Sequence, residues 1–325
     1  MTLAVELSEL RAWAAQVERN AEAAAAMGSE APGVIADGDF GRILELITGE
    51  YDSMLPAFHA VLREDGDRLA QTAAALREVA HDFAETDRKV AQEFGIGAAI
   101  TNDGSSEGFG DVRSTMLSCP YVSQSELPVL KFGFPWDQAC DLASWVGLGD
   151  PRDDITEFVV GDLPKAANHA AYWDLYAATM GGVRTNLAHG QGSIGGTWTG
   201  EAAISSRTKM NDWVSSLESQ SEGMTDMAGH LRDMVQQAMD MAQVVVDTIK
   251  FFVSVISAGW SYAAIPGYGQ WKLVKTLKEA WHLINNARKV ISVFWSFLVV
   301  MKDALMSMVH IFTTTDLPSA PSAPA

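Results

Sequence analysis

Two cysteines in 325 residues, Cys119 and Cys140, are too few for a disulfide framework, and no zinc spacing surrounds them. One bridge in an oxidising compartment and two free thiols both fit. The seven histidines (His59, His81, His169, His189, His230, His282, His310) include no two spaced three to five apart, which removes the usual helical metal pair. The first 30 residues lack the basic start and apolar run of a secretory signal; they carry Glu6, Glu9, Glu18, Glu22 and Glu30 instead. No apolar run reaches the roughly 20 residues of a membrane span. The longest, Phe251 to Ile265, has 15.

Positive charge is scarce in the first half. Residues 1–100 hold 8 basic and 18 acidic side chains, residues 101–162 hold 3 and 11, and residues 163–325 hold 12 of each. Nucleic-acid binding rests on neutralising phosphates, so a net charge of −18 placed this way argues against it.

Helical periodicity dominates. Leu3, Leu7, Leu10, Ala14, Val17, Ala21 and Ala24 recur at steps of four and three, which puts them on one helix seam. Gly28, Pro32, Gly33 and Gly38 are expected to end that helix. A second helix from about Arg42 carries Leu44, Ile47, Tyr51, Met54, Phe58 and Val61. Gly66 marks an expected bend, and Leu69, Leu76, Phe83 and Val90 continue at sevens. Residues 1–95 thus read as an antiparallel helical hairpin. Residues 96–162 read as a linker or crossover rich in Gly, Ser and Pro. Short helices are expected at Trp136–Val146 and Asp153–Val160, and Pro128–Phe134 is the one candidate strand.

A second hairpin is expected over 163–262. Its first helix carries Trp173, Tyr176, Met180, Val183 and Leu187. The loop Gly190–Gly200 has five glycines, and a heptad runs from Met210 to Val245. That helix continues through Phe251–Ala264 to Pro266-Gly267. A hydrophobic C-terminal helix over 263–316 carries Trp281, Ile284, Ile291, Phe294, Leu298 and Leu305 from Trp271 to Phe312. The Pro/Ser/Ala tail, 317–325, is expected to be disordered. The fold class is therefore all-α: an elongated antiparallel, coiled-coil-like bundle of two hairpins and a hydrophobic C-terminal helix pair.

No catalytic constellation emerges. Gly190-x-Gly192-x-x-Gly195 has the spacing of a dinucleotide loop, but that loop follows a strand in a βαβ unit, and this one sits between long helices. Gln191-Gly192-Ser193-Ile194-Gly195 lacks the first glycine of a nucleophile elbow. Catalytic, metal and cofactor assignments are accordingly none, and the expectation is a protein that is not an enzyme.

The turn Trp198-Thr199-Gly200 lies roughly 35 residues into the second hairpin, between its two helices. Gly allows the reversal and Trp supplies an apolar cap. A second W-x-G, Trp145-Val146-Gly147, lies outside any long hairpin. In position and context the 163–262 hairpin resembles the WXG family of type VII (ESX) secretion substrates. The first hairpin resembles the EspC-type secretion-associated family in Met1-Thr2-Leu3-Ala4-Val5, in the turn Gly38-Asp39-Phe40-Gly41-Arg42, and in Phe83-Ala84-Glu85-Thr86-Asp87. Phe83-x-x-x-Asp87 would be the counterpart of the family's Tyr-x-x-x-Asp/Glu export signal, with Phe in place of Tyr. Phe158-x-x-x-Asp162 has the same pattern.

Two such hairpins in one chain resemble the PE–PPE arrangement as fused in EspB-type proteins. The resemblance implies an actinobacterial substrate exported by a Sec-independent route from the cytoplasm to the cell surface or medium. Its partners would be the secretion ATPase and chaperone machinery, with a helical partner or a second copy left open.

Residues 248–312 hold 7 basic and 2 acidic side chains with Trp260, Trp271, Trp281 and Trp295. Basic residues among tryptophans suit a membrane interface; the stripe spacing equally suits a buried helix pair. A membrane-active or pore-forming role through this segment is the alternative reading.

Overall fold

The structure, a computed structural model, describes residues 6–93, 108–118, 120, 136–152, 155, 160–260 and 268–319. Among these, six α-helices and no strand are found: α1 (Leu7–Val34), α2 (Glu45–Glu93), α3 (Trp136–Trp145), α4 (Leu163–Ile194), α5 (Glu201–Trp260) and α6 (Tyr268–Met308). The expected strand at 128–134, most of the expected helix at 153–160, and Cys119 lie outside the described residues.

The apolar stripes assemble these helices around one core. α1 and α2 form one antiparallel hairpin and α4 and α5 another; α1 packs on α4, while α6 folds back along α5 and also touches α2. Every member of the stripe from Leu44 to Val61 is buried, as are Trp173, Tyr176, Met180, Val183 and Leu187. Asp162 caps α4, its side chain accepting from Lys165 N at 2.9 Å, with Pro164 in the first turn where no N–H is needed.

Four expected breakers do not break. α1 runs through Gly28, Pro32 and Gly33 to Val34, and α2 runs through Gly66. Gly28 and Gly66 are instead where the helices touch. A Cβ at Gly28 would lie 2.9 Å from Arg63 N, and one at Gly66 would lie 2.8 Å from the Ala25 Cα. Propensity losses of about 1 kcal/mol are outweighed by close backbone packing. Pro32 falls in the last turn, where only one helical hydrogen bond is forfeited.

Two further differences follow from length. The Arg77–Glu18 pair sets the antiparallel α1–α2 register, in which α1, beginning at Leu7, does not lie alongside the last turns of α2. Val90 is accordingly 47% exposed rather than in the core. α5 has 60 residues against 32 for α4, about 90 Å against about 48 Å. The Gln191–Asn211 and Asp174–Arg232 contacts bring the start of α4 level with roughly residue 240 of α5. Beyond that point α5 packs on α6 and α3, with Trp136 and Trp281 rings 6.1 and 6.4 Å from Phe252.

The tail begins packed, not loose. After 3-10 turns at Val309–Ile311 and Thr314–Asp316, Leu317 and Pro318 are buried, and Arg68 donates to both of their carbonyls at 3.0 and 3.3 Å. Lys209 reaches Ser319 Oγ at 2.8 Å. Residues 320–325 lie outside the described residues.

Candidate functional site: one end of the bundle

The α4–α5 turn is built by glycine and closed by tryptophan. The Ile194 carbonyl accepts from Thr197 N and Trp198 N at 3.2 and 3.1 Å, and Gly200, at φ 110°, starts α5. The Trp198 side chain folds inward and is buried edge-on to Trp13 of α1, centroids 6.2 Å apart at 70°. Arg207 holds the Trp198 carbonyl at 3.0 Å, and Thr197 Oγ1 donates to the Glu9 carboxylate. The turn is thus tied to the first turns of α1.

The glycine pattern before it has no phosphate-binding geometry. Gly190 and Gly192 lie inside α4, not in a loop ahead of a helix. Gly190 is where α1 presses on α4; a Cβ there would lie 2.7 Å from Trp13 Cδ1. The second W-x-G differs again. Gly147, at φ 79°, ends α3 as a C-cap, with Leu148 N bonded to Ala143 O at 2.9 Å, and Trp145 is 79% exposed.

Phe83 is half-buried against the core and Asp87, one turn later, is exposed. Continuing the Arg77–Glu18 register, Phe83 and Asp87 lie roughly 9 and 15 Å further along, level with the first turns of α1. Trp198 meets α1 at Trp13 and Thr197 meets it at Glu9. The fold therefore brings Trp198, Gly200, Phe83 and Asp87 to one end of the bundle. Of the other pattern match, Asp162 is occupied as the α4 cap and Phe158 lies outside the described residues.

Phe40 and Gly41 are not part of that end. Phe40 is buried at the opposite end, near Tyr51 and His169, with Lys165 Nζ 5.9 Å from its ring centroid. Gly41, at φ 79°, lies against Gly161, where a Cβ would come 2.6 Å from the Gly161 Cα. Backbone bonds Ile43 N to Val160 O and Asp162 N to Phe40 O (3.0 and 2.8 Å) clamp this corner.

Sequence reasoning missed the buried polar groups. Trp173 Nε1 donates to Tyr51 Oη at 2.9 Å, and Tyr51 Oη lies 3.1 Å from His169 Nδ1. Burial, aided by Lys165, pulls the His169 pKa down to about 4, so the ring is neutral and its Nδ1 is free to accept a hydrogen bond from the Tyr51 hydroxyl. Asp65 is fully buried opposite Gln220, which donates to it at 3.2 Å, and burial pushes its pKa up to about 8. The signal was there: Phe58, Leu62, Asp65 and Leu69 keep the core spacing. Asn20 and Asn186 bond across α1 and α4 at 3.0 Å. Over them passes the strap 108–118, held by Arg19–Asp111 at 3.2 Å and by Asn186 to the Arg113 backbone.

Among the described residues no group of three or more His, Cys, Asp or Glu could hold a metal. Cys140 is buried, its thiol pushed up to about 12 by that burial. No family model matches the chain, and no curated protein does. Among solved structures, EspB from the ESX-1 type VII secretion system is similar over 90% of this chain and 92% of its own, at 16% identity and a TM-score of 0.38. A likeness that low carries no assignment, so the functional reading rests on the residues themselves.

Proposed function

We propose that this chain is a non-enzymatic substrate of an actinobacterial type VII secretion system. In this reading the bundle end bearing Trp198, Gly200, Phe83 and Asp87 is what the secretion ATPase and chaperone machinery recognises. The carrying observation is that the W-x-G turn and the Phe-x-x-x-Asp motif, far apart in sequence, share one end of the fold. The two parts divide the work physically. Trp198 is buried and fixes the turn to α1; Asp87 is exposed and is the group a receptor can reach. Before export the protein is cytoplasmic, and its route does not use a Sec signal.

The test compares culture filtrate with lysate from a native host, with and without its secretion ATPase. ATPase-dependent protein in the filtrate supports the reading. Protein retained in the lysate of both strains rejects it.

A further inference from the structure

We propose that the far end of the α5–α6 hairpin is a docking surface for an anionic lipid bilayer. This goes beyond export and does not depend on it, because it concerns the opposite end of α5, about 90 Å from Trp198.

Among the described residues the end of α5 and the start of α6 lie past α4, which stops covering α5 near residue 240, while the Glu50–Lys302 pair joins α2 to the far end of α6. There Tyr268 and Trp271 are 53% and 60% exposed; Phe251, 58% exposed, lies further back, near the level of Trp281. Two exposed aromatic rings side by side, their centroids 6.3 Å apart, are not what a solvated helix start carries. Lysines interleave with them: Lys275 Nζ lies 5.4 Å from the Trp271 ring centroid and Lys272 Nζ 5.9 Å from that of Tyr268. Trp271, Val274, Lys275, Lys278 and Glu279 line a shallow recess there.

Charge selects the occupant. The protein as a whole is at −18, yet residues 247–279 carry four lysines against two acids, Asp247 and Glu279, which lie 3.7 Å from Lys250 and Lys275 at well-exposed positions. Aromatic rings that sit at headgroup depth, with lysines beside them, match the chemistry of an anionic membrane interface. An interface with a second copy of this chain would set the same lysines against one another at a two-fold contact.

Both α5 and α6 contain an 18-residue window of mean hydropathy 1.6, with 39% and 22% of it buried. The windows meet the length and composition of a membrane span. The flanking lysines and the packed Trp136–Phe252–Trp281 cluster instead favour shallow docking of the intact hairpin.

The experiment is co-sedimentation of the full chain with phosphatidylglycerol–phosphatidylcholine vesicles and with phosphatidylcholine vesicles alone, at low and high salt. The full chain is expected to pellet with the anionic vesicles only, less at high salt, without releasing a trapped dye. Lys275→Glu with Lys278→Glu should weaken binding roughly tenfold or more. Tyr268→Ser with Trp271→Ser should abolish it; these side chains are exposed, so unchanged circular dichroism checks that the variants fold. Failure to pellet with either vesicle overturns the proposal. So does equal binding to both vesicles with no effect of the lysine changes. Concentration-dependent self-association lost in Trp271→Ser, with no vesicle binding, assigns the surface to a second copy and also overturns it.

Discussion

Gln220 of α5 donates from Nε2 to Asp65 Oδ1 of α2 at 3.2 Å, with both residues buried in the core between the two hairpins. Asp65 Oδ2 and Gln220 Oε1 are both buried with no partner of their own. A proton on Oδ2 would join them, turning a half-satisfied pair into a closed acid–amide ring. Burial pushes the Asp65 pKa up to about 8, so the acid form prevails at neutral pH.

Stability should therefore fall with rising pH through this group. Its folded pKa is raised above the unfolded value near 3.9, so the contribution is complete below about pH 4 and is lost as pH climbs toward 8. Asp65→Asn keeps the shape and supplies a permanent donor to Gln220. Urea midpoints from pH 4 to 9 should show the variant flatter than the parent and more stable than it at pH 8 and above. An unchanged pH slope would show that Asp65 does not carry this proton.

The opposite slope belongs to His169. Its pKa is lowered to about 4, chiefly by burial, while the unfolded chain titrates near 6.5. The unfolded state binds the extra proton, so this contribution is present above 6.5 and is lost as pH falls toward 4. Tyr51→Phe removes the shared hydroxyl, orphaning Trp173 Nε1 and His169 Nδ1, and should cost about 1–3 kcal/mol at pH 7. Denaturant unfolding of the variant at pH 7 and pH 5 measures both effects; a loss below about 0.5 kcal/mol would contradict the network.

Two glycines in α2 should respond in opposite directions to alanine. At Gly66 a Cβ runs into the Ala25 backbone, so Gly66→Ala must push α1 and α2 apart and should destabilise by about 1–3 kcal/mol. At Gly49 nothing lies within 4 Å, so Gly49→Ala gains helix propensity, about 0.5–1 kcal/mol. Thermal unfolding of both variants provides the check, and a stabilised Gly66→Ala would contradict the close helix crossing.

These glycines also show where sequence reading stops. Leu44, Ile47, Tyr51, Met54, Phe58 and Val61 could be read from spacing alone, because one buried face repeats with the helix. Gly28, Pro32, Gly33 and Gly66 count as breakers on local propensity alone; what overrides it is a neighbouring helix contributed by other residues. Asp65 kept the core spacing but was passed over as an acid, and its identity as a core residue depends on Gln220, 155 positions away. Val90 follows the heptad too, and its exposure reflects where α1 begins, which the α2 sequence does not encode. At the candidate site, the W-x-G turn was legible from its place between helices. That it shares an end with Phe83 and Asp87 needed the hairpin registers. Phe40 and Gly41, read with the same family resemblance, lie at the other end of the bundle.

Trp198 and Asp87 call for different handling in mutants. Trp198 is buried on Trp13, and Trp198→Ala should cost about 3–5 kcal/mol, so loss of export in that variant would mix unfolding with recognition. Thermal unfolding of Trp198→Ala should register this cost, and a midpoint equal to the parent's would contradict the role of the ring as the bundle's plug.

Asp87 is exposed and makes the cleaner test. The decisive measurement is export of Asp87→Ala, compared with the parent chain in a host whose type VII ATPase is intact, with thermal unfolding of both purified proteins alongside. The account predicts equal melting temperatures, the parent in the culture filtrate, and the variant retained in the lysate. Asp87→Ala reaching the filtrate at the parent's level would contradict the claim that this end of the bundle is read for export.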